Sequence, residues 1–365
     1  MNIKQKQFTQ KVLKWFDQHG RKNLPWQQQI SPYRVWISEI MLQQTQVQTV
    51  IPYFNRFIKR FPNIVSLAQA HEDEVLHLWT GLGYYARARN CHRAAQIIQQ
   101  QFNGKFPDDL NTIQSLPGIG RSTAGAILSL AMQIPAAILD GNVKRVLTRT
   151  HAIKGYPGLT EVSEQLWQIA EMYTPQKKAA AYNQAMMDIG AMICTRTQPQ
   201  CQKCPLQNNC IARQLNKMSE FPSKKANKPL PVKSQQLLII CNDRGEVLLE
   251  KRPAKGIWGG LWSLPEYPTD ENIKSWCWQN YRCRIDQVQH WPMFRHTFTH
   301  FHLEIVPILV TIKTNAKNKP IDPLIWYNVK LPDTRGLAAP IKKILDQVAN
   351  NFFLLPLAGE GAEGG

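Results

Sequence analysis

Four cysteines grouped in one short stretch constrain the fold more than any other feature of this sequence. Cys194, Cys201, Cys204 and Cys210 follow one another with the spacing C-x6-C-x2-C-x5-C. Four thiolates this near can surround one metal centre, either a zinc ion or an iron–sulfur cluster, and the spacing does not choose between them. A loop of this length has no core of its own, so we expect bound metal to supply most of its order.

The remaining cysteines and the apolar segments indicate in which cellular compartment the chain is expected. The other four cysteines are scattered, and we expect ordinary packing for them: Cys91, Cys241, Cys277 and Cys283. The N-terminus is polar and lacks the apolar core of a signal peptide. The apolar stretch 124–139 is interrupted by Gln133 and Pro135, which disfavours a membrane span. We therefore expect an intracellular chain with no membrane partner, cytoplasmic and associated with the nucleoid if the source is bacterial.

Charge points to a polyanionic partner. The chain has 365 residues and a net charge of +18. Lys and Arg outnumber Asp and Glu by 25 to 13 in residues 1–221 and by 19 to 13 in the remainder. An excess in both halves favours nucleic acid. The alternative is a protein whose lysines are simply solvated, although Arg196 and Lys203 within the cysteine loop favour contact with phosphates.

The pattern of apolar residues changes once along the chain. Residues 1–220 repeat apolar positions at three- and four-residue spacing, which predicts an all-α domain that includes the cysteine loop 194–210. Residues 221–233 combine prolines with lysines and predict a linker. Residues 234–350 predict an α+β domain, with a hairpin at 235–253, a helix near 272–279, a strand over 298–312 and a helix near 338–349. The tail 351–365 is of low complexity and is predicted to be disordered.

A tight glycine turn lies in LPGIGRSTAGAIL. Gly118 and Gly120 let backbone N–H groups approach an anion, and the helix that follows favours negative charge. This fits a helix–hairpin–helix that holds a DNA phosphate without reading bases. A plain connection between two helices explains the turn equally well.

Two isolated carboxylates indicate chemistry. Glu39 is the only formal charge between Arg34 and Arg56, and it stands in the apolar segment VWISEIML. Ionised carboxylates are rarely buried without a partner, so we expect the pKa of Glu39 to be raised. Asp140 precedes a helix in LDGNVKR and could be only an N-cap. With Glu39 it provides what N-glycosidic cleavage needs, an acid for the leaving base and an anion for the cationic sugar.

The hairpin LPGIG, the aspartate of LDGNVKR and the four cysteines together resemble the endonuclease III superfamily of helix–hairpin–helix DNA glycosylases. Within it, SEIMLQQTQV, GLGYYARARN and the additional C-terminal domain are similar to the MutY family of adenine DNA glycosylases. The resemblance implies one [4Fe–4S] cluster held by the four cysteines. It also implies a substrate, double-stranded DNA with adenine opposite 8-oxoguanine or guanine, whose repair prevents G:C to T:A transversions, and a monomeric enzyme.

The resemblance further implies roles for single residues. Glu39 would protonate the adenine and Asp140 would stabilise the oxocarbenium ion. The side chains expected to enter the duplex are Gln44, Leu82 and Tyr84. The remaining DNA contacts are expected from Gly118, Gly120, Ser122 and Lys144. Glycosylases that also cut the strand are expected to carry lysine where this chain has Ser122, so no Schiff base with the sugar can form there.

The C-terminal domain resembles a Nudix hydrolase domain but lacks its acidic helix. Asp270 and Glu271 are the only acids of the segment 267–280, too few for the usual metal site. We expect the domain to recognise rather than hydrolyse, with Phe298, Thr299 and His300 reading 8-oxoguanine by family resemblance. His296, His300 and His302 are expected to form a polar strand face rather than a metal site.

Three other functions are weighed against the adenine glycosylase. An endonuclease III-type glycosylase and lyase for oxidised pyrimidines predicts lysine at position 122 and no C-terminal domain. A nucleotide pyrophosphatase explains only the C-terminal domain. A non-enzymatic iron–sulfur DNA-binding protein leaves Glu39 without a reason to be there.

Overall fold

The computed structural model describes residues 3–225, 229–268, 271–312 and 323–351. The helices are α1 (Ile3–His19), α2 (Pro32–Leu42), α3 (Val47–Arg60), α4 (Ile64–Ala68), α5 (Glu72–Trp79), α6 (Ala86–Gln101), α7 (Leu110–Ser115), α8 (Arg121–Ala126), α9 (Gly141–His151), α10 (Thr160–Tyr173), α11 (Ala179–Asp188), α12 (Ile211–Gln214), α13 (Ile273–Tyr281) and α14 (Ala339–Asn351). The strands are β1 (Val232–Cys241), β2 (Glu246–Lys251), β3 (Trp262–Ser263), β4 (Glu266–Tyr267), β5 (Ile285–His290), β6 (Phe294–Thr297), β7 (His302–Ile312) and β8 (Leu324–Asn328).

The described residues form two compact units. The first lies within 1–70 and 87–227, and the second lies within 71–86 and 228–365. An all-α part followed by an α+β part confirms the predicted fold class. The predicted boundaries at 220, 233 and 350 stay a prediction, and two observations depart from them. Strand β1 begins inside the predicted linker, and the segment 71–86 belongs to the second unit. Beyond Asn351, the predicted disordered tail lies outside the described residues.

The first unit is helical, and its core lies beneath the start of α9. Ile138, Leu139 and Val143 are buried in one cluster with α1, α10 and α11, and Cys194 and Cys204 pack against it. Apolar residues on both sides of position 140 therefore anchor the backbone there. The same core supports the N-terminus of α9 and the loop that carries the four cysteines.

The second unit contains a mixed sheet of eight strands among the described residues. Its order is β3-β2-β1-β7-β5, with β4 against β1, β6 against β7 and β8 against β2. Strands β1 and β7 pair in parallel over ten residues, and the other pairs are antiparallel. The buried face of β1 and β7 packs with Cys277 of α13, which gives this unit its own core.

Most predicted elements of the second unit are confirmed. The hairpin is formed by β1 and β2, in the register Cys241 to Val247, and both predicted helices are present as α13 and α14. The single strand predicted over 298–312 is wrong at its start. Residues 298–301 form a turn between β6 and β7, closed by a bond from the Phe298 N–H to the Phe301 carbonyl.

Among the described residues, none of the helices combines the length and the apolar character that crossing a bilayer requires.

Candidate active site and cysteine loop

Helix α2 carries Glu39 in an apolar setting. The Ser31 hydroxyl accepts a bond from the Arg34 N–H at 3.2 Å, and Pro32 fixes the first turn, so the helix begins sharply. Seven of its eleven residues are buried, and Glu39 itself is half-buried. Helix α2 therefore places its single carboxyl in rigid, mostly apolar surroundings.

The pKa of Glu39 is raised to about 8. Burial is the larger cause, because an ionised carboxylate loses its hydration there, and the negative charge of Asp140 raises it further. The raised pKa agrees with the expectation from the sequence. At neutral pH this carboxyl holds a proton that it can donate.

Asp140 is the N-cap of α9. Its Oδ1 accepts from the Val143 N–H at 2.8 Å, and its Oδ2 accepts from the Asn142 side-chain amide at 3.0 Å. Burial raises the pKa of Asp140, while these hydrogen bonds and the charge of Arg145 oppose the rise. The N-cap interpretation and a functional one are thus compatible, because capping leaves the carboxylate held in one orientation.

The two carboxyls differ in how their charge is supported. Asp140 has two hydrogen-bond donors and a nearby guanidinium, whereas burial and the charge of Asp140 both oppose ionisation of Glu39. Neighbouring acids in unlike surroundings separate into a proton donor and an anion. The arrangement can protonate a leaving group with Glu39 and stabilise developing positive charge with Asp140.

Arg145 connects Asp140 to the cysteine loop, a role that the residue pattern did not predict. Its Nη2 donates to the Asn142 side-chain oxygen at 2.9 Å and to the Gly190 carbonyl at 2.5 Å. Its Nε donates to the Cys194 carbonyl at 2.6 Å. Asn142 is therefore held on one side by Arg145 while it donates to Asp140 on the other.

The four cysteines line one small cavity of about 20 Å³ in the first unit. In the described part of the chain, no three His, Cys, Asp or Glu side chains converge closely enough to hold a single metal ion. Four cysteine sulfurs around one site are the ligand set of a [4Fe–4S] cluster as well as of a structural zinc ion. The residues present therefore fit an iron–sulfur cluster.

The surroundings of the cysteine thiols favour a positively charged centre. The pKa of Cys204 is raised to about 12, mainly by burial and in smaller part by the other three cysteines of the loop. Arg149 donates from Nη1 to the Cys194 Sγ at 3.3 Å and to the Thr195 carbonyl at 2.7 Å. Four ionised thiolates would repel one another here without a bound cation. The four thiols can therefore be ionised together only around a bound metal, and Arg149 adds a hydrogen bond to the Cys194 sulfur.

The glycine hairpin lies next to Asp140. Gly118 has φ +77°, and a Cβ there would come within 2.8 Å of the Asn90 Cβ, so glycine is required. Gly120 is the N-cap of α8. The Ser122 hydroxyl accepts from the Leu139 N–H at 3.0 Å, which brings position 122 beside the backbone that leads to Asp140. Lys144 lies half-buried on the first turn of α9.

The three residues expected to enter DNA are divided between the units. Gln44, in the first unit, is exposed and has φ +57°. Tyr84, in the second unit, is 43% exposed and has φ +50°. Non-glycine residues with positive φ store strain and are concentrated at functional sites. Leu82 is only 6% exposed, so this conformation does not present it to DNA. The duplex-entering roles stay predictions.

The residues expected to read 8-oxoguanine occupy the turn 298–301. Phe298 is half-buried, whereas Thr299 and His300 are exposed. The Phe298 ring stacks on Phe301 at 4.5 Å, and the Trp258 ring centroid lies 6.1 Å from that of Phe298, with the two rings tilted by 42°. His296 and His302 belong to different strands, so the three histidines do not share one strand face as the sequence predicted. The reading role stays a prediction.

Arg87 is a further residue that sequence reasoning missed. Its Nη1 donates to the carbonyls of Ile40, Met41 and Gln43, at 2.9, 3.0 and 2.5 Å. The last carbonyls of a helix have no partner within it, so Arg87 closes the end of α2 between Glu39 and Gln44. The only available signal was the cluster of arginines in YARARN.

Comparison with known proteins covers both units. Residues 37–172 match the HhH-GPD superfamily of base excision DNA repair proteins, and residues 236–347 match the NUDIX domain family. The chain is 44% identical over 353 residues to "Adenine DNA glycosylase" of Buchnera aphidicola subsp. Acyrthosiphon pisum, a match that spans 95% of this chain and 99% of the relative. It is 32% identical to the protein of the same name from Rattus norvegicus, across 84% of this chain and 68% of that relative.

Solved structures resemble the helical part. A thermostable thymine-DNA glycosylase is 28% identical, with a TM-score of 0.53, over 58% of this chain and 97% of that one. An endonuclease III bound to DNA is 21% identical, with a TM-score of 0.50, over 59% of this chain and 98% of that one. At that identity the second likeness shows the fold alone.

Proposed function

Because the chain belongs to the adenine DNA glycosylase family, we propose that it removes adenine from double-stranded DNA by hydrolysing the N-glycosidic bond. The substrate of this base excision repair step is adenine opposite 8-oxoguanine or guanine. The neighbouring carboxyls Glu39 and Asp140 are the observation that carries the proposal. The enzyme acts as a monomer inside the cell, where its DNA substrate is found.

Glu39 and Asp140 divide the reaction between them. The protonated carboxyl of Glu39 donates its proton to the ring of the flipped adenine, which makes the base a better leaving group. The carboxylate of Asp140 stabilises the oxocarbenium-like sugar that remains, as paired carboxylates do in glycoside hydrolysis. Support for this division comes from the pKa of Glu39, about 8, and from the two donors that hold Asp140.

Ser122 makes the enzyme a hydrolase without strand cleavage. Its hydroxyl lies beside the backbone of Leu139, at the position where a lyase would need an amine. A hydroxyl cannot form a Schiff base with the sugar aldehyde. The strand therefore stays intact after base release, which separates this enzyme from a glycosylase and lyase for oxidised pyrimidines.

The four cysteines Cys194, Cys201, Cys204 and Cys210 would hold one [4Fe–4S] cluster. Bound there, the cluster supplies positive charge and a fixed geometry for its thiolate ligands. The loop it orders presents Arg196 and Lys203 to phosphates. Gly118, Gly120 and Lys144 add phosphate contacts near Asp140. A net charge of +18 supports binding to DNA.

The turn 298–301 reads the base opposite the adenine. Phe298 stacks on that base, and the exposed Thr299 and His300 form hydrogen bonds with it. Gln44 and Tyr84 enter the duplex, with Leu82 following when its turn opens. Helix α13, IKSWCWQNY, carries no acid, which supports recognition rather than hydrolysis by this unit.

The test uses duplexes that contain adenine opposite 8-oxoguanine. We expect free adenine as the product and strand breaks only after alkali, because the abasic site stays intact until then. Strand breaks of equal yield without alkali would favour the lyase instead. Glu39→Gln is expected to abolish adenine release while duplex binding persists, and full activity of that variant would refute the assignment of the acid.

A further inference from the structure

The segment 71–86 is bound into the second unit. The Lys251 Nζ lies 3.1 Å from the Asp73 Oδ1, and the His77 ring is 3.2 Å from the Arg335 carbonyl. A Cβ at Gly336 would come within 2.4 Å of the Leu76 Cβ, so the loop 335–337 lies directly against α5. The turn that follows α5 therefore starts from an element fixed to this unit.

Tyr85 joins that turn to the same loop. Its side chain is 9% exposed, and its hydroxyl donates to the Leu337 carbonyl at 3.1 Å while it accepts from the Gly81 N–H at 3.4 Å. Gly81, Gly83 and Tyr84 all have positive φ. A turn built from such conformations keeps its shape only when its surroundings hold it. One hydroxyl thus braces the turn 80–84.

The loop 335–337 continues to the turn 298–301. The Trp262 N–H donates to the Gly336 carbonyl at 2.9 Å, and Trp262 follows Leu261, whose N–H donates to the Trp258 carbonyl at 3.0 Å. Trp258 is buried, has φ +52°, and places its ring 6.1 Å from the Phe298 ring. Packed and hydrogen-bonded groups therefore run without a break from Tyr85 to Phe298.

We propose that Tyr85 is a positioning residue that couples the turn 298–301 to the turn 80–84 through the loop 335–337. The inference rests on the proposed function, in which the turn 298–301 reads the opposite base and the turn 80–84 enters the duplex. A base that fits beside Phe298 holds Trp258 and the loop in place, and Tyr85 then holds Tyr84 in its inserted position. The rate of adenine release thereby comes to depend on the opposite base.

The direct test is Tyr85→Phe, which removes one hydroxyl and keeps the ring. Single-turnover adenine release is measured opposite 8-oxoguanine and opposite guanine. We expect the ratio of the two rates to fall about three- to tenfold, the range that loss of one hydrogen bond gives. An unchanged ratio would overturn the coupling. A wild-type protein that releases no adenine opposite either base would refute the proposed function and, with it, this inference.

Tyr33→Phe is the matched control. The Tyr33 side chain is 6% exposed, and its hydroxyl donates to the Phe61 carbonyl at 2.8 Å within the first unit. This variant loses the same kind of buried bond, so we expect a similar drop in melting temperature and no change in the rate ratio. An equal fall in the ratio would mean that lost stability alone explains Tyr85→Phe, and the coupling would be rejected.

A double-mutant cycle separates coupling from two independent effects. Trp258→Phe shortens the ring next to Phe298 and is expected to lower the same ratio. If both residues act through one chain of contacts, the double variant has the same rate ratio as the single variant whose ratio is lower. Multiplying effects would contradict the proposal. If Tyr85→Phe does not fold, Gly336→Ala is used instead, because its added Cβ pushes the loop 335–337 away from Leu76. The proposal requires the same fall in the rate ratio from this variant.

Discussion

Glu39 is the only acid of α2, and its proton is expected to govern the pH dependence of the reaction. Its pKa of about 8 keeps it protonated at neutral pH, so the rate should fall as pH rises above about 8. Asp140 must be ionised, so the rate should also fall on the acid side. The measurement is single-turnover adenine release between pH 5 and 10. A rate that is flat from pH 7 to pH 10 would contradict the role of Glu39.

The same carboxyl should make stability depend on pH. Its pKa is about 8 in the folded chain against an ordinary value of 4.5, so the folded state binds more protons between these pH values. The free energy of unfolding therefore falls as pH rises through this window. We expect Glu39→Gln to melt several degrees above wild type at pH 9 and close to it at pH 5. The exposed Glu164→Gln is the control, and an offset equal at both pH values would contradict the burial argument.

Sequence reasoning found Glu39 and Asp140 because their residue types and neighbours are unusual. A glutamate within an apolar helix and an aspartate that precedes a basic helix, as in LDGNVKR, can both be recognised from the sequence alone. Arg87 and Arg145 escaped it because both act on backbone carbonyls far away in sequence. Every residue has such a carbonyl, so only the folded chain shows which ones these arginines reach.

At the level of the elements, the C-terminus of α2 depends on Arg87. Removing the guanidinium takes one donor from each of three carbonyls, of which Ile40 keeps the Gln43 N–H at 3.4 Å. We expect Arg87→Met to lower the free energy of unfolding by about 2 kcal/mol. Adenine release should fall more than DNA binding, since Glu39 is adjacent to one of these carbonyls. Arg93→Met, at an exposed position of α6, is the control and should change stability by less than about 0.5 kcal/mol. Equal effects of the two variants would count against the capping role.

The cysteine loop gives a second prediction for an element. The protein should carry about four irons per chain and a broad visible absorbance, as a cluster held by four cysteines does. Cys204→Ala should lose iron and lower the melting temperature, because α9 is bonded to the loop through Arg145 and Arg149. Cys283→Ala, a half-buried cysteine outside the loop, is the control. A colourless protein that contains zinc would contradict the assignment.

Local sequence patterns predicted the helices and the hairpin. The strand predicted over 298–312 was wrong at its start for a physical reason. The alternation of FTHFHLEI suggested one strand, yet the chain reverses at 298–301 and β6 pairs back on β7. No glycine or proline marks this turn. It is held by the stacking of Phe298 on Phe301, which involves side chains that are equally suited to a strand.

On the scale of the whole molecule, the membership of 71–86 was the least predictable feature. The segment lies within the range that matches the glycosylase superfamily, yet its contacts are with Lys251 and the loop 335–337. Contacts between residues more than 170 positions apart leave no periodic trace in the sequence. The chain therefore passes from one unit to the other three times, after residues 70, 86 and 227.

We propose that this one chain combines an adenine-releasing carboxyl pair with a unit that reads the opposite base. The most direct measurement is the single-turnover rate of adenine release by the intact protein from duplexes with 8-oxoguanine, guanine, cytosine or thymine opposite the adenine. We expect release opposite 8-oxoguanine to be fastest, release opposite guanine to be slower and release opposite thymine to be undetectable. Equal rates opposite all four bases, or release of an oxidised pyrimidine in place of adenine, would contradict the account.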